Sequence, residues 1–176
     1  MGHVSSQTMI RPLVTADADA FRALRLDALA TAAEAFGSSH DEEAAFPLET
    51  FRARIEGPEP SAIFGAFADG GLVGMAGFLA SEKRKQRHKG TLWGVFVRPA
   101  WRGHGLGERL VKRVVEHAGQ HVTILHASVV TTNQRARMMY QRLGFKPYGV
   151  EWQALCVDGI FYDEELLALD LNQRGE

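Results

Sequence analysis

The spacing of apolar positions changes along the chain, and each change marks an element. Leu106, Leu110, Val111, Val114, Val115 and Ala118 keep a helical period, with Glu108, Arg109, Lys112, Arg113 and Glu116 on the opposite face. Gly119 gives that helix a stop. Just before it, residues 92–97 are apolar, aromatic and β-branched, interrupted by Gly94 and ended by Arg98-Pro99, which reads as a buried strand. Nearer the start, residues 9–14 predict a short first strand. Thr15 or Asp17 caps a helix whose apolar face holds Ala18, Phe21, Leu24, Ala28 and Leu29. Gly37-Ser38-Ser39 closes that region, residues 40–45 read as an acidic connection, and residues 48–55 as a second helix closed by Gly57-Pro58.

Three further signals complete the order. Asp69-Gly70-Gly71, between runs 61–68 and 72–81, predicts a hairpin. Residues 122–130 predict the next strand, parallel to 92–97 because a helix connects the two. Asn133 caps a helix that carries Ala136, Met139, Tyr140 and Leu143 on one face and ends at Gly144. Asp158-Gly159 then joins 148–157 to 160–171 in a last hairpin. The order is strand, two helices, three strands, helix, strand, helix, two strands. That predicts an α/β chain with a mixed, mostly antiparallel sheet, a central parallel strand pair and helices on both faces.

Composition narrows the function classes. The 176 residues suit one domain, expected over 9–176 behind a loose polar tail at 1–8. A formal net charge of -1 gives no reason to expect nucleic-acid binding, and the basic run within 82–90 reads as a solvated loop. Cys156 is the single cysteine, and the seven histidines lack ligand spacing, so no disulfide and no metal site are expected. No apolar run reaches membrane-span length and no signal-peptide region is visible, which leads to a cytoplasmic expectation with no membrane partner.

The chemistry concentrates between the buried strand and the amphipathic helix, at Arg102-Gly103-His104-Gly105-Leu106-Gly107. Alternate glycines let the chain turn sharply and let a ligand approach the main chain. The unpaired N–H groups of the first helical turn and the helix dipole then favour a phosphate. The spacing fits neither G-x-G-x-x-G nor a P-loop, which would need Lys-Ser or Lys-Thr after the glycines.

The stretch instead resembles the pyrophosphate loop of the GNAT superfamily of acyl-CoA N-acyltransferases. Val97-Arg98-Pro99 matches the V-x-P that ends its strand, and Arg102-x-x-Gly105-x-Gly107 matches its [RQ]-x-x-G-x-[GA]. A second signature, N-x-x-A-x-x-x-Y-x-x-x-G-F, is met at every position by Asn133, Ala136, Tyr140, Gly144 and Phe145. The resemblance spans about 9–171 and implies a GNAT-like fold with acetyl-CoA as acyl donor. It implies that the N–H groups of Gly103, His104, Gly105, Leu106, Gly107 and Glu108 hold the pyrophosphate, with Arg102 beside them and Arg98 and Arg109 within reach. It further implies a bulged central strand, for which Gly94 is suited. Val95, Phe96 and Val97 would then contact pantetheine and the thioester, and Asn133 could add a cofactor contact to its capping role.

In that family the tyrosine commonly serves as general acid. For Tyr140 the chemistry is sound, since a phenol with a pKa of about 10 can donate to a thiolate whose thiol has a pKa of about 8.5. The two central strands carry no carboxylate, where many relatives have one. The general base stays open among Glu82, His88, His126, the acids at 41–43, Asp163, Glu164 and a water chain. Trp93, Trp152, Phe161 and Tyr162 are candidates for an acceptor pocket. The expected activity is acetyl transfer from acetyl-CoA to the primary amine of a small molecule, by a protein for which a homodimer is allowed. A protein N-terminus or lysine as acceptor, and a non-catalytic acyl-CoA sensor, are the alternatives.

Overall fold

The computed structural model describes residues 8–172; apart from Thr8, the expected tail lies outside the described residues. In chain order the strands are β1 (Met9–Pro12), β2 (Ala62–Ala68), β3 (Gly71–Ala80), β4 (Lys89–Val97), β5 (Ile124–Val130), β6 (Lys146–Val157) and β7 (Ile160–Asp170). The helices are α1 (Ala18–Thr31), α2 (His40–Ala44), α3 (Leu48–Ile55), α4 (Leu106–Ala118) and α5 (Gln134–Arg142). Among the described residues, the strands form one sheet in the order β1-β2-β3-β4-β5-β7-β6. Every neighbouring pair is antiparallel except β4 and β5. The mixed sheet with one central parallel pair is the architecture the sequence predicts.

Each face of the sheet has its own core. On one, the stripe of α4 buries Leu110, Val111 and Val114 completely against Phe78, Leu92 and Leu125, and α5 with its C-cap adds Tyr140 and Leu143. On the other, Phe21, Leu24 and Ala28 of α1 pack with Phe51 of α3 against Met75 and Phe96. Each buried Leu, Val or Phe contributes roughly 1.5–3 kcal/mol of transfer free energy. The turn at Asp69 and Gly70 takes positive φ at both positions (49° and 79°), the geometry that a tight two-residue hairpin requires.

Two local expectations need correction. Residues 40–45 are not an acidic connection but contain α2, opened by a capping box. Ser39 Oγ accepts from Glu42 N at 3.3 Å, and the Glu42 carboxylate accepts from Ser39 N at 2.9 Å. Within α2, Glu43 is fully buried, because two arginines distant in sequence take its charge. Asp17 sits at the N-cap position of α1 yet does not cap it. Its carboxylate turns back to Val14 N at 2.8 Å and to Arg11.

Candidate active site: a cleft between two splayed strands

The parallel pair β4 and β5 runs in register from Lys89↔Ile124 to Thr91↔His126. Beyond it the strands part, and residues 92–97 and 128–130 line a cleft of about 810 Å³. The splay coincides with an irregularity on the other edge of β4. Phe96 pairs with Met75 and Trp93 with Gly77, so Gly94 and Val95 together oppose Ala76. Gly94 takes a φ of 65°, which the absence of a Cβ permits. Such a bulge leaves main-chain groups off the ladder, here beside the cleft. Trp93 is held on the α1 side because Gly77 leaves room for it; a Cβ on Gly77 would lie 2.3 Å from the indole.

At one end of the cleft the chain leaves β4 through Arg98-Pro99 and turns into α4. Gly103 (φ 86°) and Gly105 (φ 72°) both adopt left-handed backbone, and a Cβ at either would meet no atom of the described residues within 4 Å. Gly105 is the N-cap of α4 and no side chain caps the helix, so the N–H groups of its first turn stay unspent. This is an open main-chain cradle, and its donors suit a phosphate oxygen. Arg102 stands beside it with Nε donating to Val97 O at 2.8 Å. Of the predicted cofactor contacts, Val95, Phe96, Val97, Arg102, Gly103, Gly105, Leu106, Gly107, Glu108 and Asn133 line the cleft; His104 is exposed and lies outside the lining. Arg98 and Arg109 are engaged away from it. Arg98 donates to Leu72 O and pairs with Asp27, and Arg109 bonds Thr8.

Helix α5 supplies the other wall near β5. Asn133 Oδ1 accepts from Ala136 N at 3.1 Å, the expected cap. Tyr140, two turns on, is 6% exposed, packs edge-on against Phe145 and lines the cleft. Burial pushes its phenol above the usual range, which makes the hydroxyl a weaker acid in this cleft. Glu108 lies between the cradle and α5. Lys112 at 2.9 Å and Arg142 at 3.2 Å hydrogen-bond its carboxylate and hold it below the usual carboxylate range.

The open list of general bases shortens in the structure. Glu164 on β7 lines the cleft. Asp163 is spent on Gln153 N at 2.8 Å, Glu43 on its two arginines, and Glu82 lines a separate hollow near Pro60 and His121. His126 packs against Tyr148, and burial, then the Lys89 charge, lowers its pKa. The expected aromatic acceptor pocket reduces to Trp93. Trp152 is 82% and Phe161 58% exposed: Trp152 stands in the bulge between Glu151 and Leu155 of β6, and Phe161 on β7 beside the Asp158-Gly159 turn.

Sequence reasoning missed Arg25, Phe36 and Gly37, which line the cleft from the α1 side, and Arg135, Met139 and Arg142 on α5. For Arg25 a signal was present: it occupies the stripe Phe21, Arg25, Leu29, a charge where the period calls for an apolar residue.

A family model described as the acetyltransferase (GNAT) family matches residues 26–145. Solved structures of similar fold include an acetyltransferase of the GNAT family from Streptococcus pneumoniae, at 25% identity and TM-score 0.80, covering 93% of this chain and 99% of that one. A ribosomal-protein-alanine N-acetyltransferase from Brucella melitensis aligns at 24% identity and TM-score 0.81, over 92% and 99%. The yncA protein of Salmonella typhimurium, solved with its cofactor acetyl-CoA, aligns at 22% identity and TM-score 0.79, over 97% and 98%. No curated protein matches the chain.

Proposed function

Because the chain belongs to the acetyltransferase (GNAT) family, an acyltransferase family that uses acetyl-CoA, we propose that it acetylates the primary amine of a small molecule. Residues 9–176 act in this as one domain. The observation that carries the proposal is the splay of β4 from β5, which opens onto an uncapped glycine turn at one end and Tyr140 along its side. Ala32, Ala35, Phe36 and Gly37 also line the cleft on the α1 side, close enough to β4 to bound the space for a small acceptor.

When bound, acetyl-CoA supplies a thioester, whose acetyl carbon forms a bond to the amine nitrogen while its bond to sulfur breaks. The residues of this chain fit that donor. The N–H groups of residues 103–108, with no Cβ at Gly103 or Gly105 to bar approach, hold the pyrophosphate. The bulge at Gly94 and Val95 frees main-chain N–H to polarise the acetyl carbonyl. Glu164, less exposed than the other free acid of the lining, Glu34, takes the ammonium proton directly or through a water. Tyr140 gives its proton to the departing sulfur, and the second proton shed by the nitrogen as the amide forms returns to Tyr140 through water.

The test is thiol release from acetyl-CoA over a panel of small primary amines beside peptides with a free N-terminus or a lysine. The proposal expects release with small amines. Release with peptides alone would move the acceptor to protein, and binding without consumption of acetyl-CoA would make the chain a sensor.

A further inference from the structure

We propose that the acceptor amine carries a carboxylate, as an amino acid does, and that the Arg25 guanidinium on α1 holds that carboxylate beside the Gly94 bulge of β4. The inference rests on the acetyl-transfer reading of the cleft and names the acceptor class for it.

Arg25 is 6% exposed and lines the cleft. Three contacts of 2.8–3.2 Å tie its Nε and Nη2 to the carboxylate of Glu43, which also accepts from Arg54 Nη1 at 2.8 Å. The remaining arm, Nη1, is buried and has no hydrogen-bond partner among the described residues. It faces the bulge: a Cβ built on Gly94 would have Arg25 Nη1 as its nearest neighbour, at 3.9 Å. Native proteins leave few buried donors unpaired, and a charged one least of all.

Charge makes the missing partner an anion. Arg25 and the half-buried Arg54 share one carboxylate, which leaves the trio one positive charge in excess. The nearby acids do not balance it. Asp27 pairs with Arg98, and Glu34 is exposed. Phe36 and Trp93, with ring centres 5.0 and 5.9 Å from the guanidinium carbon, hold it by cation–π contact.

The geometry then fixes what kind of amine fits. Nη1 lies at the bulge assigned to the acetyl carbonyl, so the anion and the nucleophilic nitrogen must be a few bonds apart. A protein lysine has no carboxylate near its amine, and a protein N-terminus offers only a neutral carbonyl there. A free amino acid has both groups on one carbon.

The experiment compares free amino acids with their amides, the matching decarboxylated amines and short peptides, following thiol release from acetyl-CoA with the full chain. The wild type should favour the acids over their amides by roughly tenfold to a hundredfold in kcat/KM, mostly through KM, the scale of a hydrogen bond to a charged group. Arg25→Lys keeps a charge but loses the fork, and should cut that ratio tenfold or more. A ratio near one in the wild type, or a preference for peptides, overturns the proposal whether or not the variant folds. A variant that slows all acceptors alike shows Arg25 to be structural and overturns it too. Where no acceptor is turned over, titration of acid and amide into the CoA-loaded protein makes the same comparison by affinity. Absence of acetyl-CoA binding would remove the acetyl-transfer reading as well, whereas transfer without carboxylate preference removes this inference alone.

Discussion

One wall of the cleft, the turn at residues 103–108 with α4 behind it, offers a ligand main-chain N–H groups. The wall across the sheet, α1 with α2 and α3, offers a guanidinium held in place by the buried carboxylate of Glu43. The first is built from a local backbone conformation that two left-handed glycines make possible. The second is built from side chains 18 and 11 residues apart in sequence, and stands only when α1, α2 and α3 have docked. A main-chain cradle suits the part of a substrate that is constant, and a side-chain clamp suits the part that differs from enzyme to enzyme.

That contrast can be broken most severely at Glu43. Glu43→Gln leaves two arginines with no anion between them, and should destabilise the fold by about 3–5 kcal/mol in denaturant titrations. The turn before α4 takes no part in that network, so acetyl-CoA should still raise the melting temperature of whatever fraction folds. An equal loss of stability from mutations at the turn would erase the distinction between the walls.

Acid tests the same wall without mutation. Burial alone would raise the Glu43 carboxyl, but the hydrogen bonds from Arg25 and Arg54 outweigh it and hold the pKa at about 2, against an ordinary 4.5. A depressed carboxylate stabilises the folded state above its unfolded pKa, and that stabilisation fades as pH falls. A share on the order of 3 kcal/mol should therefore be complete above pH 4.5 and disappear between there and about pH 2. Free energies of unfolding measured across that window check this, and a flat profile in wild type would remove the ion triad from the account.

Tyr140→Phe probes the chemistry between the walls. It removes one hydroxyl and keeps the packing against Phe145. Turnover should fall roughly a hundredfold while the dissociation constant for acetyl-CoA moves little. Unchanged turnover would make Tyr140 a packing residue.

The same contrast explains what was legible in the sequence. The helix period of α4, the Asp69-Gly70 turn, and both motifs around Gly105 and Tyr140 are short-range patterns, and each is where it was expected. The Gly94 bulge was expected because the family resemblance implies a bulged central strand and a glycine inside it fits one. What escaped depends on distant partners. Glu43 looked like one acid of a connection and a candidate base, and nothing near it in sequence announces Arg25 or Arg54. Trp152 and Phe161 looked like lining, but Trp152 falls in a β6 bulge that has no glycine to mark it; its left-handed residue is Gln153, at a φ of 51°. Among the candidate bases, the choice of Glu164 needed the register of β7 against β5, which opposes it to Val130 at the mouth of the splay.

The central claim is that the turn before α4 holds acetyl-CoA through its main chain, and calorimetric titration of acetyl-CoA into wild type and Gly105→Val tests it most directly. Gly105 has a φ of 72° and no neighbour among the described residues within 4 Å of where a Cβ would stand. Valine there is strained in the left-handed conformation and projects into the cradle without crowding the core. The account predicts wild-type circular dichroism for the variant and an affinity at least about tenfold weaker, a loss of about 1.4 kcal/mol or more. Equal affinity in a folded variant would contradict it.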